Sequence, residues 1–188
     1  DNTVMTAAVA DALTRTKNPE KLGNVLKDIM SDYSCRYLNV VHIGFGSGFT
    51  ACVSPCGYIA ESLEEALALA EVSAGFFRND PESIKAAKTV AAVIYMAKNG
   101  IRKSGIKKYI EDNYYKLDFN LDEDSGKPFH EIVPQAIQCF LIGYGFEDII
   151  RNAISIGGDS NTIACIAGSI AEAYYGVSDE INKAYLPE

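Results

Sequence analysis

The eight residues 156–163 constrain this chain more than any other stretch, because they read Ile-Gly-Gly-Asp-Ser-Asn-Thr-Ile directly before an apolar run. Two consecutive glycines suit a backbone that turns sharply or lies close to a ligand. Asp159 is a good N-cap for a helix that begins after it. The apolar positions that follow recur with helical spacing, namely Ile163, Ile166, Ala167, Ile170, Ala171 and Tyr174. The segment therefore predicts a central helix, ending near Tyr175, with oxygen-bearing side chains at its N-terminus.

These oxygen-bearing side chains allow two interpretations. Asp159, Asn161 and Thr162 are hard donors of the kind that Mg²⁺ or Ca²⁺ prefers. The alternative is that Asp159 only caps the helix, which is an ordinary role for an aspartate in that position. The segment is thus a candidate cation site or a plain helix start, and a second signal is needed to separate the two.

A second signal lies at the beginning of the chain, where Asp1-Asn2-Thr3 stands directly ahead of a predicted Ala-rich helix over residues 4–13. Together the two segments resemble the ADP-ribosylglycohydrolase family. In that family Thr-Asp-Asp-Thr precedes one helix, and Gly-Gly-Asp-x-Asp-Thr-(Ile/Leu)-Ala opens another that ends Ala-Tyr-Tyr-Gly. The matching segments here are residues 1–3, 157–164 and 173–176. The resemblance runs over nearly all 188 residues and implies a single all-α domain, a compact orthogonal helical bundle over residues 1–188.

The resemblance also implies a function, namely a binuclear Mg²⁺ site that cleaves the glycosidic bond of ADP-ribose attached to an acceptor. Divalent ions can polarise such a bond and lower the pKa of a bound water, and a carboxylate can act as general base. The resemblance assigns a catalytic role to Asp159 if the protein is an active enzyme. It assigns metal ligation to Asp1, Asn2, Thr3, Asp159, Asn161 and Thr162. It assigns substrate binding to Gly46, Ser47, Gly48, Gly157 and Gly158.

Two departures from the family pattern affect the metal. Asn2 and Asn161 stand where the family has Asp, and each replacement removes one unit of negative charge. An ion–carboxylate attraction at about 4 Å is worth roughly 2–8 kcal/mol, depending on the effective dielectric constant. We therefore expect one weakly held Mg²⁺, or none, rather than two.

Other departures affect the substrate side. The family's Gly-Asn-Gly-(Ser/Ala)-x-x-Arg-x-(Ser/Ala)-Pro appears here as residues 46–55, with Ser47 in place of Asn and Cys52 in place of Arg. This Gly-rich stretch either cradles a phosphate with backbone N–H groups or forms an ordinary tight loop. The family's Thr-His-x-His-Pro-Glu appears as residues 77–82 without either histidine, and neither His42 nor His130 fills the gap.

Two hypotheses of different class follow. In the first, the chain is a non-catalytic relative that keeps the bundle and binds a nucleotide or a protein, which losses at several unrelated motif positions favour. In the second, it is an active Mg²⁺-dependent hydrolase that cleaves ADP-ribosyl groups, with a missing segment supplied elsewhere. The family helix that precedes the first motif is absent from the sequence, which reflects either a boundary of the chain as given or a shortened protein.

Composition limits the partners and the compartment. The net charge of −8 and the pI near 4.8 argue against a nucleic-acid partner. No apolar run approaches the roughly 18–20 residues that span a bilayer, so no membrane segment is expected. The five cysteines are odd in number and lack a zinc-like spacing. We expect free thiols, no disulfide and a reducing, cytoplasmic compartment.

Seven or eight helices with almost no strand signal are predicted along the chain. Besides residues 4–13 and the helix after Asp159, helices are expected to begin at Pro19, after Ser62, after Asp80 and at Phe146, and to cover 103–114 and 132–142. The helical pattern breaks over residues 31–58. Residues 117–129 are expected to form a surface excursion or a short hairpin.

Overall fold

A computed structural model describes residues 2–37, 47–117 and 132–185. Within these ranges the chain forms helices and no strand, so the all-α prediction is confirmed. The elements are α1 (Asn2–Arg15), α2 (Pro19–Tyr37), a 3-10 turn (Ser47–Thr50), α3 (Ser54–Ile59), α4 (Leu63–Phe77), α5 (Pro81–Lys98), α6 (Lys103–Asn113), α7 (Ile132–Ile142), α8 (Phe146–Ser155), α9 (Ser160–Tyr175) and α10 (Asp179–Tyr185).

The predicted helix starts are made by side chains that accept from the first free N–H groups. Asn18 accepts from the N–H of Glu20 at 2.9 Å at the start of α2. Ser62 accepts from the N–H of Glu65 at 3.1 Å. Asp80 does the same for Ser83 at 3.0 Å, which confirms the caps of α4 and α5.

Helix α5 lies at the centre of the bundle. Its residues 90–94 are all fully buried, and five consecutive positions cover every face of a helix. Ala92 and Val93 are as buried as Val90 and Ile94, so α5 has no solvent-facing side over this stretch. The reason is that α3, α4, α6, α7 and α9 surround α5.

Helix α9 packs beside α5 and also contacts α3, α7 and α8. Its predicted apolar face is buried as far as Ala171, and Tyr174 is half-buried. Gly168 lies on the side that faces α8. A Cβ at Gly168 would lie 2.8 Å from Cδ1 of Ile150, so α8 passes close to this position.

Helices α3 and α10 were not predicted, so the expected number of seven or eight helices was too low. The predicted break over residues 31–58 is wrong in part, because α2 continues to Tyr37 and α3 forms around Pro55 and Gly57. Pro55 lies in the first turn of α3, where the missing N–H costs nothing. A Cβ at Gly57 would lie 2.6 Å from the carbonyl oxygen of Ala91, so this glycine allows α3 to pack on α5. The excursion predicted over 117–129 lies outside the described residues beyond Leu117.

None of the helices in the described ranges combines the length and the apolar character that crossing a bilayer requires.

Candidate functional site

Three distant parts of the chain meet at the side chain of Asn2, in the first turn of α1. Its Nδ2 donates to Oγ1 of Thr162 on α9 at 3.4 Å. On the other side, a Cβ at Gly48 would lie 2.3 Å from Asn2 Oδ1 and 3.1 Å from Cε of Met5. We call Asn2, Gly48 and Thr162 the three-segment contact. It joins the two motifs and the Gly-rich stretch that the sequence singled out separately.

The N-terminus of α9 has the capped geometry that its sequence predicts. Asp159 Oδ1 accepts from the N–H of Thr162 at 3.4 Å, and the Thr162 side chain is buried. Gly157 and Gly158 have φ angles of 78° and 60°, a left-handed conformation that favours glycine. The capping role of Asp159 is thus confirmed, while its role as a metal ligand or catalyst stays a prediction.

The other predicted site residues are placed less tightly. Thr3 and Asn161 are exposed, as are Gly157 and Gly158. The backbone of Ser47 begins the 3-10 turn. Asp1, Gly46 and the side chain of Ser47 lie outside the described residues. Of the predicted set, the structure therefore brings Asn2, Gly48, Asp159 and Thr162 together.

A cavity of about 220 Å³ adjoins this contact through the 3-10 turn. The Arg78 guanidinium lies 5.8 Å from the ring centroid of Phe49, and Arg78 Nε lies 3.2 Å from Asp80 Oδ2. Hydrogen bonds from Ser83 lower the pKa of Asp80, so its carboxylate is charged at neutral pH. The lining residues are Phe49, Thr50, Arg78, Asp80, Glu82, Ser83, Ala86, Tyr115, Ile132 and Val133.

Sequence reasoning singled out part of this cavity as the family's histidine motif, residues 77–82, but missed its other walls. Tyr115 closes one side, and burial, with a smaller contribution from Glu82, raises its pKa to about 12. The Lys85 ammonium lies 4.4 Å from the Tyr115 ring centroid. The phenol therefore keeps its proton at neutral pH. No local pattern marked Tyr115, because it follows the end of α6 and its neighbours in the cavity come from other helices.

Cys52 stands where the family has an arginine, and it does not replace the missing charge. Its thiol is fully buried and donates to the carbonyl oxygen of Phe49 at 2.9 Å. Burial raises the pKa of this thiol well above its usual range. Cys52 therefore stays neutral and holds the 3-10 turn against the core.

The described donors at the three-segment contact do not by themselves make up a two-ion centre. Among the described residues, no group of three His, Cys, Asp or Glu side chains could hold a metal ion. Of the carboxylates in the predicted ligand set, Asp159 lies within the described residues. Asn2 directs an N–H group toward Thr162. An amide donor does not ligate a cation, so the oxygen set is weaker than the family pattern requires.

The helical bundle with polar residues at the starts of α1 and α9 is the arrangement of a known class of protein. A family model described as ADP-ribosylglycohydrolase matches residues 1–187. The chain therefore belongs to the ADP-ribosylglycohydrolase family.

Individual relatives resemble shorter parts of the chain. The human ADP-ribosylhydrolase ARH3 is 42% identical over 66 aligned positions, covering 29% of this chain and 18% of the relative. The Danio rerio protein of the same name is 41% identical over 56 positions, covering 24% of this chain and 15% of the relative. These matches span less than a fifth of the curated relatives' length.

One solved structure, titled "ADP-ribosylglycohydrolase-related protein complex", has the same fold. It superimposes with a TM-score of 0.70 at 21% identity, covering 94% of this chain and 71% of that one. At this level of identity the likeness defines the fold alone.

Proposed function

We propose that this chain is a divergent ADP-ribosylglycohydrolase that binds an ADP-ribosyl or related nucleotide group, with weakened or lost hydrolysis of the glycosidic bond. The observation that carries the proposal is the three-segment contact, which keeps both motifs together beside a cavity while an amide replaces a carboxylate. This arrangement supports ligand binding with a reduced charge for catalysis.

The cavity offers the groups that a nucleotide needs. Phe49 and Tyr115 supply aromatic surface for a base or a sugar face. Arg78 supplies a guanidinium, which recognises phosphate oxygens through charge-assisted hydrogen bonds.

The catalytic side of the proposal rests on charge. Asn2 and Asn161 lower the charge of the predicted ligand set by two units, and Cys52 stays neutral where the family has arginine. Any Mg²⁺ is then held weakly, at a single site at best. Asp1, Thr3, Asp159 and Asn161 remain its proposed oxygen ligands.

A reducing compartment such as the cytoplasm belongs to the same proposal. The four cysteines whose side chains are described, Cys52, Cys56, Cys139 and Cys165, are all free. Free thiols in three core positions suit an environment where disulfides are not formed.

Calorimetric titration of the full chain with ADP-ribose tests the binding, and Arg78→Met tests the cavity. Wild type is expected to bind. Arg78→Met is expected to weaken ADP-ribose binding about tenfold or more, because a charge-assisted hydrogen bond contributes roughly 1.5–3 kcal/mol. Arg151→Met, at an exposed pair on α8, is the matched control and should leave binding unchanged.

Release of ADP-ribose from an ADP-ribosylated peptide in Mg²⁺ tests the catalytic side. The expected result for wild type is release at the background rate. Binding of two ions at micromolar levels together with ADP-ribose release would establish the hydrolase instead. A wild-type chain that binds no ADP-ribose would end the nucleotide proposal.

A further inference from the structure

We propose that the amide of Asn2 takes the place of a cation at the Thr162 hydroxyl and links α1 and the Gly48 turn to the first turn of α9. In this arrangement Asn2 is a positioning residue, not a metal ligand. The inference concerns how the site is assembled and does not depend on which ligand the cavity takes.

The first step is the direction of the amide. Nδ2 of Asn2 donates to Oγ1 of Thr162, and the N–H group presents partial positive charge to that oxygen. A cation that used the same oxygen would face this N–H group at close range, with like signs opposed. The amide and a cation therefore compete for Thr162 Oγ1. An aspartate at position 2 would reverse the sign and invite the cation.

The second step is that the amide is fixed from the other side. Its oxygen lies so close to Gly48 that a Cβ there would be 2.3 Å away, while Met5, one turn along α1, closes the space at 3.1 Å. A Cα–H group is a weak donor that tolerates an oxygen at short range. Rotating the amide by half a turn would place its NH₂ hydrogens against Gly48, so the oxygen is not available to α9 without a shift of the turn.

The third step is the consequence for the site. Helix α1 packs mainly on α2 and α3, whereas α9 packs mainly on α5, α7 and α8, and both also contact the 3-10 turn. The Asn2–Thr162 bond ties these turns together directly. The site is then assembled when divalent ions are absent, and its assembly is insensitive to chelators.

A double-mutant cycle with Asn2→Ala and Thr162→Val tests the bond, using urea unfolding of the full chain in the presence of EDTA. The cycle isolates the pair from other interactions of either residue. A coupling of about threefold or more in the unfolding equilibrium constant is expected. Thr3→Ala with Thr162→Val is the control, since Thr3 is the exposed neighbour of Asn2, and should show none. Zero coupling in the first pair overturns the proposal.

A second measurement separates a positioning residue from a ligand. Thermal denaturation is followed in EDTA and in millimolar Mg²⁺ for wild type, Asn2→Ala and Asn2→Asp. Wild type should melt at the same temperature in both, Asn2→Asp should become Mg²⁺-dependent, and Asn2→Ala should bind Mg²⁺ at least as well as wild type. An Asn2→Ala affinity for Mg²⁺ about tenfold lower than that of wild type overturns the proposal, because the Asn2 oxygen would then be a ligand. Where neither protein binds Mg²⁺, the coupling measurement decides.

Discussion

The two ends of α9 lie beside contacts of different kinds. At the C-terminal end, Lys103 donates to the carbonyl oxygens of Phe140 at 2.5 Å and Leu141 at 3.3 Å, and to that of Gly143. Its ammonium also lies 4.8 Å and 5.3 Å from the ring centroids of Phe140 and Tyr175. At the N-terminal end, Thr162 receives an uncharged amide at 3.4 Å. The contact at the C-terminal end is made by a fully charged ammonium, and the contact at the N-terminal end by an uncharged amide.

This difference explains how the helical bundle can be kept when the residues proposed to bind a metal ion change. The charge at the C-terminal end belongs to the chain, and it satisfies the last carbonyls of α7 and the negative end of that helix in any solution. The charge at the N-terminal end would have to come from a metal ion, and two positions that could attract one carry amides. Substitutions there change ligand binding while the bundle remains, since function resides in the site and not in the fold.

The largest effect is expected from giving the N-terminal end the charge that it lacks. Asn2→Asp combined with Asn161→Asp should tighten Mg²⁺ binding by about a hundredfold or more, because each carboxylate adds several kcal/mol of attraction. Calorimetric titration measures it. Asn113→Asp with Asn182→Asp adds the same charge at exposed positions on α6 and α10 and should change nothing. We expect no recovery of ADP-ribose release, because Ser47 and Cys52 still depart from the family pattern. A double variant without tighter binding would show that charge is not what limits this end.

The middle of α9 provides the next largest effect and tests how tightly the two ends are joined. Gly168→Leu should lower the free energy of unfolding by about 3 kcal/mol, because its side chain must displace Ile150 on α8. Ser169→Leu places the same side chain one position along, at a half-buried site, and should cost less than about 1 kcal/mol. Urea midpoints compare the two. Equal, small shifts would mean that α8 moves aside freely.

A smaller loss is expected from removing the charge at the C-terminal end. Lys103→Met keeps the aliphatic stem but leaves the carbonyls at the end of α7 without their donor, at a cost of about 2 kcal/mol. Lys107→Met breaks an exposed pair with Glu111 one turn further along α6 and should cost less than about 0.5 kcal/mol. Chemical denaturation of both variants measures the difference. A Lys103→Met protein as stable as Lys107→Met would contradict the role given to this ammonium.

How much of this the sequence could predict depends on the range of the interaction. Local signals worked well, since the caps at Ser62 and Asp80 lie within three residues of the N–H groups they accept, and α7 has the predicted bounds. Helix α3 was missed because Pro55 and Gly57 break the helical pattern. The distant backbone of Ala91 and the side chain of Ile94 explain why glycine is needed there.

The candidate site is long-range in the same sense. The bond between Asn2 and Thr162 joins residues 160 positions apart, and no periodicity relates them. The family resemblance brought these two segments together, whereas residue patterns alone gave two separate helix starts. Lys103 was not recognised at all, because its carbonyl partners lie 37 to 40 residues away and are backbone atoms without a sequence signature.

The smallest expected effect is a difference in the rates at which cysteines are alkylated. These rates report how often the structure opens near each end of α9. We expect five free thiols by mass spectrometry under non-reducing conditions. Cys52 holds the turn that carries Gly48, and Cys139 lies on α7 near the Lys103 carbonyls; both are fully buried. Burial raises the pKa of Cys139 to about 12 and that of Cys52 well above its usual range, so neither reacts until the structure opens locally. Alkylation at about pH 8 should therefore label Cys52 faster than Cys139, because the contact beside the Cys52 turn is made by an uncharged amide and not by an ammonium. Cys165, which is only partly buried, should react before either. Equal rates for Cys52 and Cys139 would mean that both ends open together, in global unfolding, and a Cys52–Cys56 disulfide would contradict the reducing compartment.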